Sequence, residues 1–256
     1  MSATQPIQSL DRGLVLLEAV ANARGPLSLS ELMPVLGIDR SSVFRLANTL
    51  VRRGFLVQLP ESKRYALGSS VWRLASLFRF ENVLLQVARP YVDALAADAG
   101  ETTHVAIRQG AKAVLIERQL TANVLGVTGA GLGAAVALHS TGVGKALIAD
   151  FDRDGLAQLF GGEKLPRFTR FTITTAAALA EACQRTRACG YAVDDEEEHA
   201  GVRCIGAPIR DASGAVVAAV GISAPVARLP REAVKKAGAR VAAAAAAIGR
   251  ELGHAR

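Results

Sequence analysis

The stretch Asp39-Arg-Ser-Ser-Val-Phe-Arg-Leu-Ala-Asn-Thr-Leu-Val-Arg-Arg-Gly54 decides the fold of the N-terminal third of the chain. Asp39 suits a helix N-cap and Gly54 a helix end, so a helix is predicted between them. At about 100° per residue, its apolar face consists of Val43, Ala47, Leu50 and Gly54. The opposite face consists of Ser41, Ser42, Arg45, Asn48, Thr49 and Arg52. Hydroxyls, an amide and arginines without an acid indicate a helix that reads a DNA major groove, because an ordinary solvated face also carries acids.

The segments around this helix predict a winged helix-turn-helix. Apolar spacing indicates helices at 10–22 and 31–36, and Gly37 forms the tight turn before the groove helix. After it, strands at 55–59 and 64–67 flank a polar turn at 60–63, which predicts a hairpin, or wing.

Ten polar and basic residues are the candidates for contact with DNA. Four are expected to read bases, and four to hold phosphates. The candidates are Arg40, Ser41, Ser42, Arg45, Asn48, Thr49, Arg52, Arg53, Lys63 and Arg64, with Ser41, Ser42, Arg45 and Thr49 on bases and Arg52, Arg53, Lys63 and Arg64 on phosphates. The alternative for Lys63 and Arg64 is an ordinary charged turn.

The charge distribution agrees with nucleic acid at the N-terminal end. The chain has a net charge of +7, and residues 1–80 hold 10 of its 30 Lys and Arg against 5 of its 23 Asp and Glu. The remaining residues are therefore close to neutral. A small basic domain followed by a larger neutral one is typical of a DNA-binding regulator.

Beyond residue 70 the pattern predicts two further helices and then an α+β domain. Trp72 and its apolar neighbours lie on a helix at 71–80, which we expect to make an interdomain or dimer contact. Pro90 is expected to break or kink a helix at 83–99. Strands are predicted at 102–108, 113–119, 124–128, 135–138, 201–210 and 216–224, and helices at 141–151, 155–160, 176–190 and 230 onward. We expect an antiparallel sheet with flanking helices, and two domains, 1–80 and 83–256.

The segment at 190–209 holds five consecutive acids, Asp194 to Glu198, followed by His199 and Cys204. It could be a metal site, a catalytic site, a ligand pocket or a solvated turn. Neither a Cys-x-x-Cys nor a His-x-x-x-His spacing accompanies it, which disfavours zinc. Catalysis by Cys204 is disfavoured because nearby acids raise a thiol pKa. Most of the acid run is expected to be solvated.

Two motifs fall short of a cofactor site. The Ser140–Lys145 stretch resembles the end of a phosphate-binding loop, but His139 replaces its first glycine and Ala146 its magnesium-binding hydroxyl. The glycine-rich stretch 129–133 precedes an apolar strand rather than a helix. We therefore expect no cofactor, although a turn that opens a helix can bind an anion such as a carboxylate.

Several features predict a cytoplasmic protein. The three cysteines have no disulfide spacing, which fits a reducing compartment. Charged residues or glycines interrupt each apolar stretch well before the roughly 20 residues of a membrane span. The N-terminus has no secretory signal pattern.

Specific motifs resemble those of the IclR family of bacterial transcription regulators. Three segments resemble its DNA-binding domain, namely Gln8–Leu14, Asp39–Arg45 and Arg64–Gly68. Three others resemble its effector-binding domain, namely Gly100–His104, Leu138–Ala146 and the 190–209 segment. The resemblance implies a GAF-like second domain that binds a small metabolite, commonly a carboxylic acid. It also implies a homodimer or homotetramer on pseudo-palindromic double-stranded operator DNA, with repression as the expected mode.

The resemblance also implies which residues face the effector. They are Gly142, Val143, Asp194, Cys204, Gly221 and Ser223. Relatives often have a serine at the position of Gly221, so this chain is expected to lack one polar group there. No catalytic residue or metal ligand is expected. The alternatives are a metal-sensing regulator that uses His199 and Cys204, and an enzyme that depends on Cys204.

Overall fold

The computed structural model describes residues 7–81, 83–121 and 131–254. The chain divides into two compact units, Met1–Asn82 and Val83–Arg256. Each unit has its own hydrophobic core.

The N-terminal unit is a winged helix-turn-helix. Its elements are α1 (Gln8–Asn22), α2 (Leu29–Leu36), α3 (Arg40–Arg52), β1 (Leu56–Gln58), β2 (Tyr65–Leu67) and α4 (Ser69–Glu81). The strands β1 and β2 pair antiparallel as the predicted wing. The core of this unit consists of Leu16, Val20, Leu32, Val43, Ala47, Leu56 and Tyr65.

Local chemistry fixes the helix-turn-helix. The hydroxyl of Ser28 accepts from the Glu31 backbone N–H, and the Glu31 carboxylate accepts from the Ser28 backbone N–H, so α2 begins with a capping box. Gly37 ends α2 in the left-handed region, with φ of 62°, where glycine carries no steric cost. Asp39 then caps α3 through the backbone N–H groups of Ser41 and Ser42.

The wing is fastened to the helices by one buried aromatic residue. Tyr65 is fully buried, and its backbone exchanges two hydrogen bonds with Leu27, at 2.9 and 2.7 Å. Leu27 lies just before α2, so the hairpin is tied to the connection between α1 and α2. This contact gives the wing a fixed place within its unit.

The second unit contains five helices and six strands among its described residues. They are α5 (Val83–Ala99), β3 (Thr102–Gln109), β4 (Lys112–Gln119), β5 (Ala135–Ala137), α6 (Gly142–Leu147), α7 (Arg153–Phe160), α8 (Ala176–Cys189), β6 (Ala192–Asp195), β7 (Val202–Arg210), β8 (Val216–Pro225) and α9 (Arg231–Glu251). The strands form one sheet in the order β5-β4-β3-β8-β7-β6, and each neighbouring pair is antiparallel. The predicted α+β class is confirmed.

Helices cover both faces of this sheet. One core joins α5 and α9 to residues such as Val105, Ile205 and Val220. The other joins α6, α7 and α8 to residues such as Ala106 and Leu115. Alternate residues of each strand therefore enter different cores, as the period of two in a strand requires.

The structure corrects three expected elements and leaves a fourth outside its description. The helix predicted at 141–151 ends at Leu147, because the chain turns at 148–150 before Asp152 caps α7. Pro90 lies inside α5 without breaking it. The acid run contains an unforeseen strand, β6. The strand predicted at 124–128 lies outside the described residues.

Candidate functional site

The groove helix α3 divides into faces as predicted. Val43 and Ala47 are fully buried, whereas Ser41, Arg45 and Thr49 are exposed. Arg40 at the start of the helix, Arg52 at its end and Arg53 just after it are also exposed. Ser42 and Asn48 are half-buried. The helix has no acidic residue after its cap, Asp39, and therefore presents a basic and polar surface.

The two serines on this surface are already engaged with the cap. The Ser41 hydroxyl donates to Asp39 Oδ1 at 2.6 Å, and the Ser42 hydroxyl donates to Asp39 Oδ2 at 2.7 Å. These bonds, led by the one from Ser41, hold the pKa of Asp39 well below its usual range. Because each hydroxyl already donates its proton, it can only accept from a partner, such as the amino group of cytosine or adenine.

Arg45 is the arginine among the four residues expected to read bases. The Thr49 hydroxyl donates to the Arg45 backbone carbonyl at 2.8 Å, so its proton too is engaged. The guanidinium of Arg45 keeps five N–H donors in a fork that matches the two acceptors of guanine. It is the member of the predicted set best suited to direct base reading.

Sequence reasoning missed Phe44. This side chain is 45% exposed on the same helix, three residues after Ser41 and four before Asn48. That spacing places all three on neighbouring turns of one face, so helical periodicity could have found it. An exposed apolar ring beside polar groups suits the methyl group of thymine.

The wing tip is only partly as predicted. Lys63 is exposed, with φ of 54°, at the turn of the hairpin. Arg64 instead points back to α2: its Nη2 lies 2.7 Å from Glu31, and its Nε donates to the Pro26 carbonyl at 2.8 Å. The phosphate contact of Arg64 stays a prediction, and Lys63 is the better placed of the two residues, because a carboxylate already pairs with the Arg64 guanidinium.

A cavity opens on the α6 side of the sheet in the second unit. It has a volume of about 70 Å³, which is room for roughly six water molecules. Five of the six expected effector-facing residues line it: Gly142, Val143, Asp194, Cys204 and Ser223.

Strand register explains why these residues meet. Cys204 is the direct cross-strand partner of both Asp194 and Ser223, and Ser223 is also the partner of Thr102. Directly opposed residues point to the same face of a sheet. Thr102, Ser223, Cys204 and Asp194 therefore form one polar row across β3, β8, β7 and β6, and all four line the cavity.

Gly221, the sixth expected residue, has a different role. A Cβ on Gly221 would lie 2.8 Å from Val143 Cγ1, and one on Gly206 would lie 2.4 Å from the Gly142 carbonyl carbon. These two glycines are cross-strand partners, so together they let the start of α6 rest directly on the sheet. Gly221 shapes the cavity by admitting Val143 and does not line it.

Asp194 is the most unusual ionisable group of the cavity. Its side chain is 1% exposed, and Oδ1 accepts from the backbone N–H of Glu197 at 2.8 Å. Burial raises its pKa to about 7, although Lys145 and the backbone N–H of Glu197 act in the opposite direction. The carboxyl therefore titrates near neutral pH.

The acid run as a whole is not solvated, which corrects the expectation. Asp194 and Glu197 are buried, and Asp195, Glu196 and Glu198 are half-buried. The reason is that the run is folded against α6 and the turn before it. Lys145 Nζ on α6 donates to Glu197 Oε1, and the hydroxyl of Ser140 in the turn donates to Glu198 Oε2. Burial raises the pKa of Glu197, and the Lys145 ammonium opposes that rise.

Cys204 lies in the cavity wall in surroundings that do not favour a nucleophile. The Ser223 hydroxyl donates to its sulfur at 3.1 Å. Burial, followed by the negative charge of Asp194, raises the thiol pKa well above its usual range. A nucleophilic cysteine needs a lowered pKa, so these surroundings do not activate it.

Sequence reasoning missed the cavity residues of β3 and β4. His104 and Arg118 are cross-strand partners that both line the cavity, together with Leu115. Burial, and then the charge of Arg118, lowers the pKa of His104 to about 4, so its imidazole is neutral at pH 7. Thr141, Glu198 and His199 line it as well.

Two absences among the described residues bear on other functions. No group of three or more His, Cys, Asp and Glu side chains in the described ranges is arranged to hold a metal ion. Within the same ranges, no helix combines the length and apolar character needed to cross a bilayer.

Comparison with known proteins matches both units. The family model for the IclR helix-turn-helix domain matches residues 9–60, and the model for the bacterial transcriptional regulator IclR C-terminal region matches residues 81–250. The transcriptional repressor IclR of Escherichia coli (strain K12) is 32% identical over 245 residues, which cover 95% of this chain and 89% of that protein.

Solved structures share the whole architecture. The Thermotoga maritima IclR aligns with a TM-score of 0.81 at 26% identity, covering 97% of this chain and 100% of that one. An IclR homolog from Microbacterium hydrocarbonoxydans, solved as a complex with 4-hydroxybenzoate, aligns with a TM-score of 0.80 at 22% identity, covering 95% and 98%; at that identity the likeness shows the fold alone. Matched in both units, the chain belongs to the IclR family of bacterial transcription regulators and is a DNA-binding regulator, not an enzyme.

Proposed function

We propose that this regulator is a repressor that binds a pseudo-palindromic operator as a homodimer, or as a dimer of dimers. We further propose that a small organic acid in the second unit controls operator affinity. The observation that carries the proposal is a continuous polar row that faces a cavity; it consists of Thr102, Ser223, Cys204 and Asp194. The same chain also presents a groove helix without acidic residues after its cap. A cavity lined by a few convergent polar groups is what a small-molecule sensor requires.

The cavity supports an acid as the ligand. Arg118 supplies a positive charge at its edge, and Leu115, Val136 and Val143 supply apolar walls. A buried carboxylate needs such a partner, because an unpaired charge is costly to desolvate. The Microbacterium homolog, which has the same fold, was solved with a carboxylate ligand, 4-hydroxybenzoate. The volume of about 70 Å³ favours a small ligand.

Exposed apolar residues support self-association. In the single chain, α4 exposes Trp72 by 78%, Leu74 by 46% and Leu77 by 45%. The start of the first helix exposes Ile7, Leu10 and Leu14 by 71%, 60% and 51%. Soluble monomers rarely leave large apolar surfaces uncovered. A two-fold dimer would cover such faces and would present two groove helices to half-sites one helical turn apart.

Control by the ligand follows from differential binding. A ligand shifts the equilibrium between two arrangements of the regulator only by the difference in its binding free energy for the two. A coupling of tenfold to a hundredfold in operator affinity corresponds to about 1.4–2.7 kcal/mol.

The test uses the full chain and an operator selected from random DNA duplexes. Fluorescence anisotropy would give the operator affinity with and without each of a panel of keto, hydroxy and aromatic acids. We expect at least one acid to change that affinity, and Asp194→Ala to abolish its effect while leaving operator binding intact. If no duplex is selected, or if no acid has an effect, the proposed function is wrong.

A further inference from the structure

A short repeat lies on the surface of the second unit, between α7 and α8. Residues 167–172 read Arg-Phe-Thr-Arg-Phe-Thr. Thr172 is buried and Thr169 is half-buried, whereas both arginines and both phenylalanines are exposed. The exposed fractions of Phe168 and Phe171 are 48% and 40%. The repeat therefore presents two Arg-Phe pairs to solvent and directs its threonines inward.

The threonines hold this 167–172 turn in place. The Thr169 hydroxyl donates to the Glu196 carbonyl at 2.7 Å. The Thr172 hydroxyl donates to the Glu197 carbonyl at 2.7 Å. Thr172 Oγ1 also accepts from the backbone N–H groups of Phe168 and Thr169, at 3.1 and 2.8 Å. Because the turn is closed on itself and tied to the acid run at two points, its exposed pairs are already ordered before a partner binds, which lowers the entropy cost of binding.

The surface of the turn is cationic. Residues 164–172 contain three cations and no acid, and all three cations are exposed. They are Lys164, Arg167 and Arg170. Glu163, the acid just before them, is paired with Arg153 at 2.6 Å. Within the described ranges, none of the three cations forms an ion pair with a carboxylate. The charge of this surface therefore favours an anionic partner.

Neither phenyl ring of the turn is an open platform for a nucleobase. The His139 imidazole stacks against Phe168, with 5.5 Å between the ring centroids and 32° between the planes. The Arg170 guanidinium lies over the Phe171 ring, 4.6 Å from its centroid. Single-stranded nucleic acids are held by bases that stack on free aromatic faces. Arginine and aromatic side chains together are instead typical of the centres of protein–protein contacts.

We propose that the 167–172 turn is a docking site for a second protein, which offers an extended segment whose acidic residues alternate with apolar ones. Each Arg-Phe pair takes one carboxylate and one apolar side chain, because a guanidinium fork matches a carboxylate. The two pairs are three residues apart, at most about 11 Å along the chain, so a few extended residues of the partner reach both. This inference goes beyond the proposed function, which involves only DNA, a small ligand and copies of this chain.

Selection from a phage-displayed library of random peptides of about twelve residues tests this, with the full chain as the target. Each enriched peptide is synthesised with a fluorescein label, and its affinity is measured by anisotropy at about 50 mM salt, where exposed charges are weakly screened. We expect the enriched peptides to carry at least two acids separated by apolar residues. Analogues with Asn and Gln in place of Asp and Glu should bind at least about fivefold more weakly, because they lose two exposed ion pairs.

Variants place the peptides on the turn. Arg167→Gln/Arg170→Gln should weaken the enriched peptides at least about fivefold, and Phe171→Ala should weaken them at least about threefold, because it removes an apolar contact. The charge-matched control is Arg185→Gln/Arg240→Gln, which removes two exposed arginines on α8 and α9 and should leave peptide affinity unchanged. Circular dichroism would verify that each variant is folded.

Four results would overturn the inference. The first is a selection that enriches no peptide. The second is a set of enriched peptides that bind equally well without their acids or to Arg167→Gln/Arg170→Gln. The third is a single-stranded oligothymidine that binds the parent chain more tightly than the peptides and loses this affinity in the same variant, which would make the turn a nucleic-acid surface. The fourth is a changed assembly state of that variant in sedimentation, which would make the turn a contact between copies of this chain.

Discussion

Val143 Cγ1 lies 2.8 Å from the point where a Cβ on Gly221 would stand. The absence of a side chain at Gly221 thus fixes how closely α6 approaches the sheet and, with it, one wall of the ligand cavity.

Gly221→Ala is therefore expected to destabilise the second unit by about 1–3 kcal/mol, the usual cost of inserting a methyl group into a packed core. Urea denaturation followed by circular dichroism would measure the change. Gly131→Ala is the matched control, because a Cβ there meets nothing within 4 Å, and its stability should stay within about 0.5 kcal/mol of the parent. The added Cβ would also lie 2.6 Å from the Ile205 carbonyl oxygen on β7, so equal stability of the two variants would show that both neighbours can move away at no cost.

Arg45→Ala should weaken operator binding by about 1–3 kcal/mol, since a bidentate contact with guanine is worth that much. Competition with duplexes changed at single positions would then show relaxed preference at one base pair per half-site. Arg24→Ala removes an arginine outside the groove helix and should leave that preference unchanged. Retained discrimination in Arg45→Ala would contradict the role given to this residue.

Lys63 and Arg64 should behave differently although they are neighbours. Lys63→Ala should reduce the slope of log affinity against log salt by about one unit, because one phosphate is then no longer neutralised. Arg64→Ala should leave that slope unchanged and lower the melting temperature of the N-terminal unit, because its guanidinium is bound to Glu31. A reduced salt slope for Arg64→Ala would instead place this arginine on a phosphate.

The pH dependence of stability should contain opposing contributions, and Asp194 and His104 are expected to supply two of them. The folded-state pKa of Asp194 is raised from 3.8 to about 7, so between these values the folded chain holds a proton that the unfolded chain has released, and stability falls as pH rises. The folded-state pKa of His104 is lowered from 6.5 to about 4, so over that window stability falls as pH falls.

Single substitutions should separate these contributions. In Asp194→Asn the His104 contribution remains, so stability should decline as pH falls. In His104→Gln the Asp194 contribution remains, so stability should decline as pH rises from 4 to 7. Differential scanning calorimetry of the full chain from pH 4.5 to 7.5 would follow the transition of the second unit. Parallel profiles for the parent and both variants would show that neither group titrates as its burial requires.

Lys145→Met should destabilise the second unit by about 3–5 kcal/mol, because it leaves the buried carboxylate of Glu197 without its counter-ion. The double variant Lys145→Met/Glu197→Leu removes both charges and should recover most of that stability. Chemical denaturation of the parent, the single variant and the double variant completes the comparison. Additive destabilisation in the double variant would mean that packing, and not charge, dominates at this site.

Local signals predicted the elements of the N-terminal unit. The Asp39 cap, Gly37 and the hairpin turn each act over a few residues, so the sequence carries their meaning directly. The contact between Arg64 and Glu31 joins residues far apart in the chain, and no local sequence pattern predicts it.

The cavity was predictable only in part for the same reason. Asp194, Cys204 and Ser223 were placed by resemblance to a family, and the cavity does include them. His104 and Arg118 were missed because their orientation depends on the register of β3 against β4 and on a bulge within it. Alternation of side chains along a strand would have placed Leu115 and Arg118 on opposite faces.

The polar row of the cavity takes one residue from each of four strands: Thr102, Ser223, Cys204 and Asp194. Backbone hydrogen bonds, rather than these side chains, hold the strands together. An exchange at one of these positions therefore changes one group that the ligand meets and leaves the other three in place. Ligand preference in this scaffold can diverge one strand at a time, while the sheet and the operator-binding unit remain as they are.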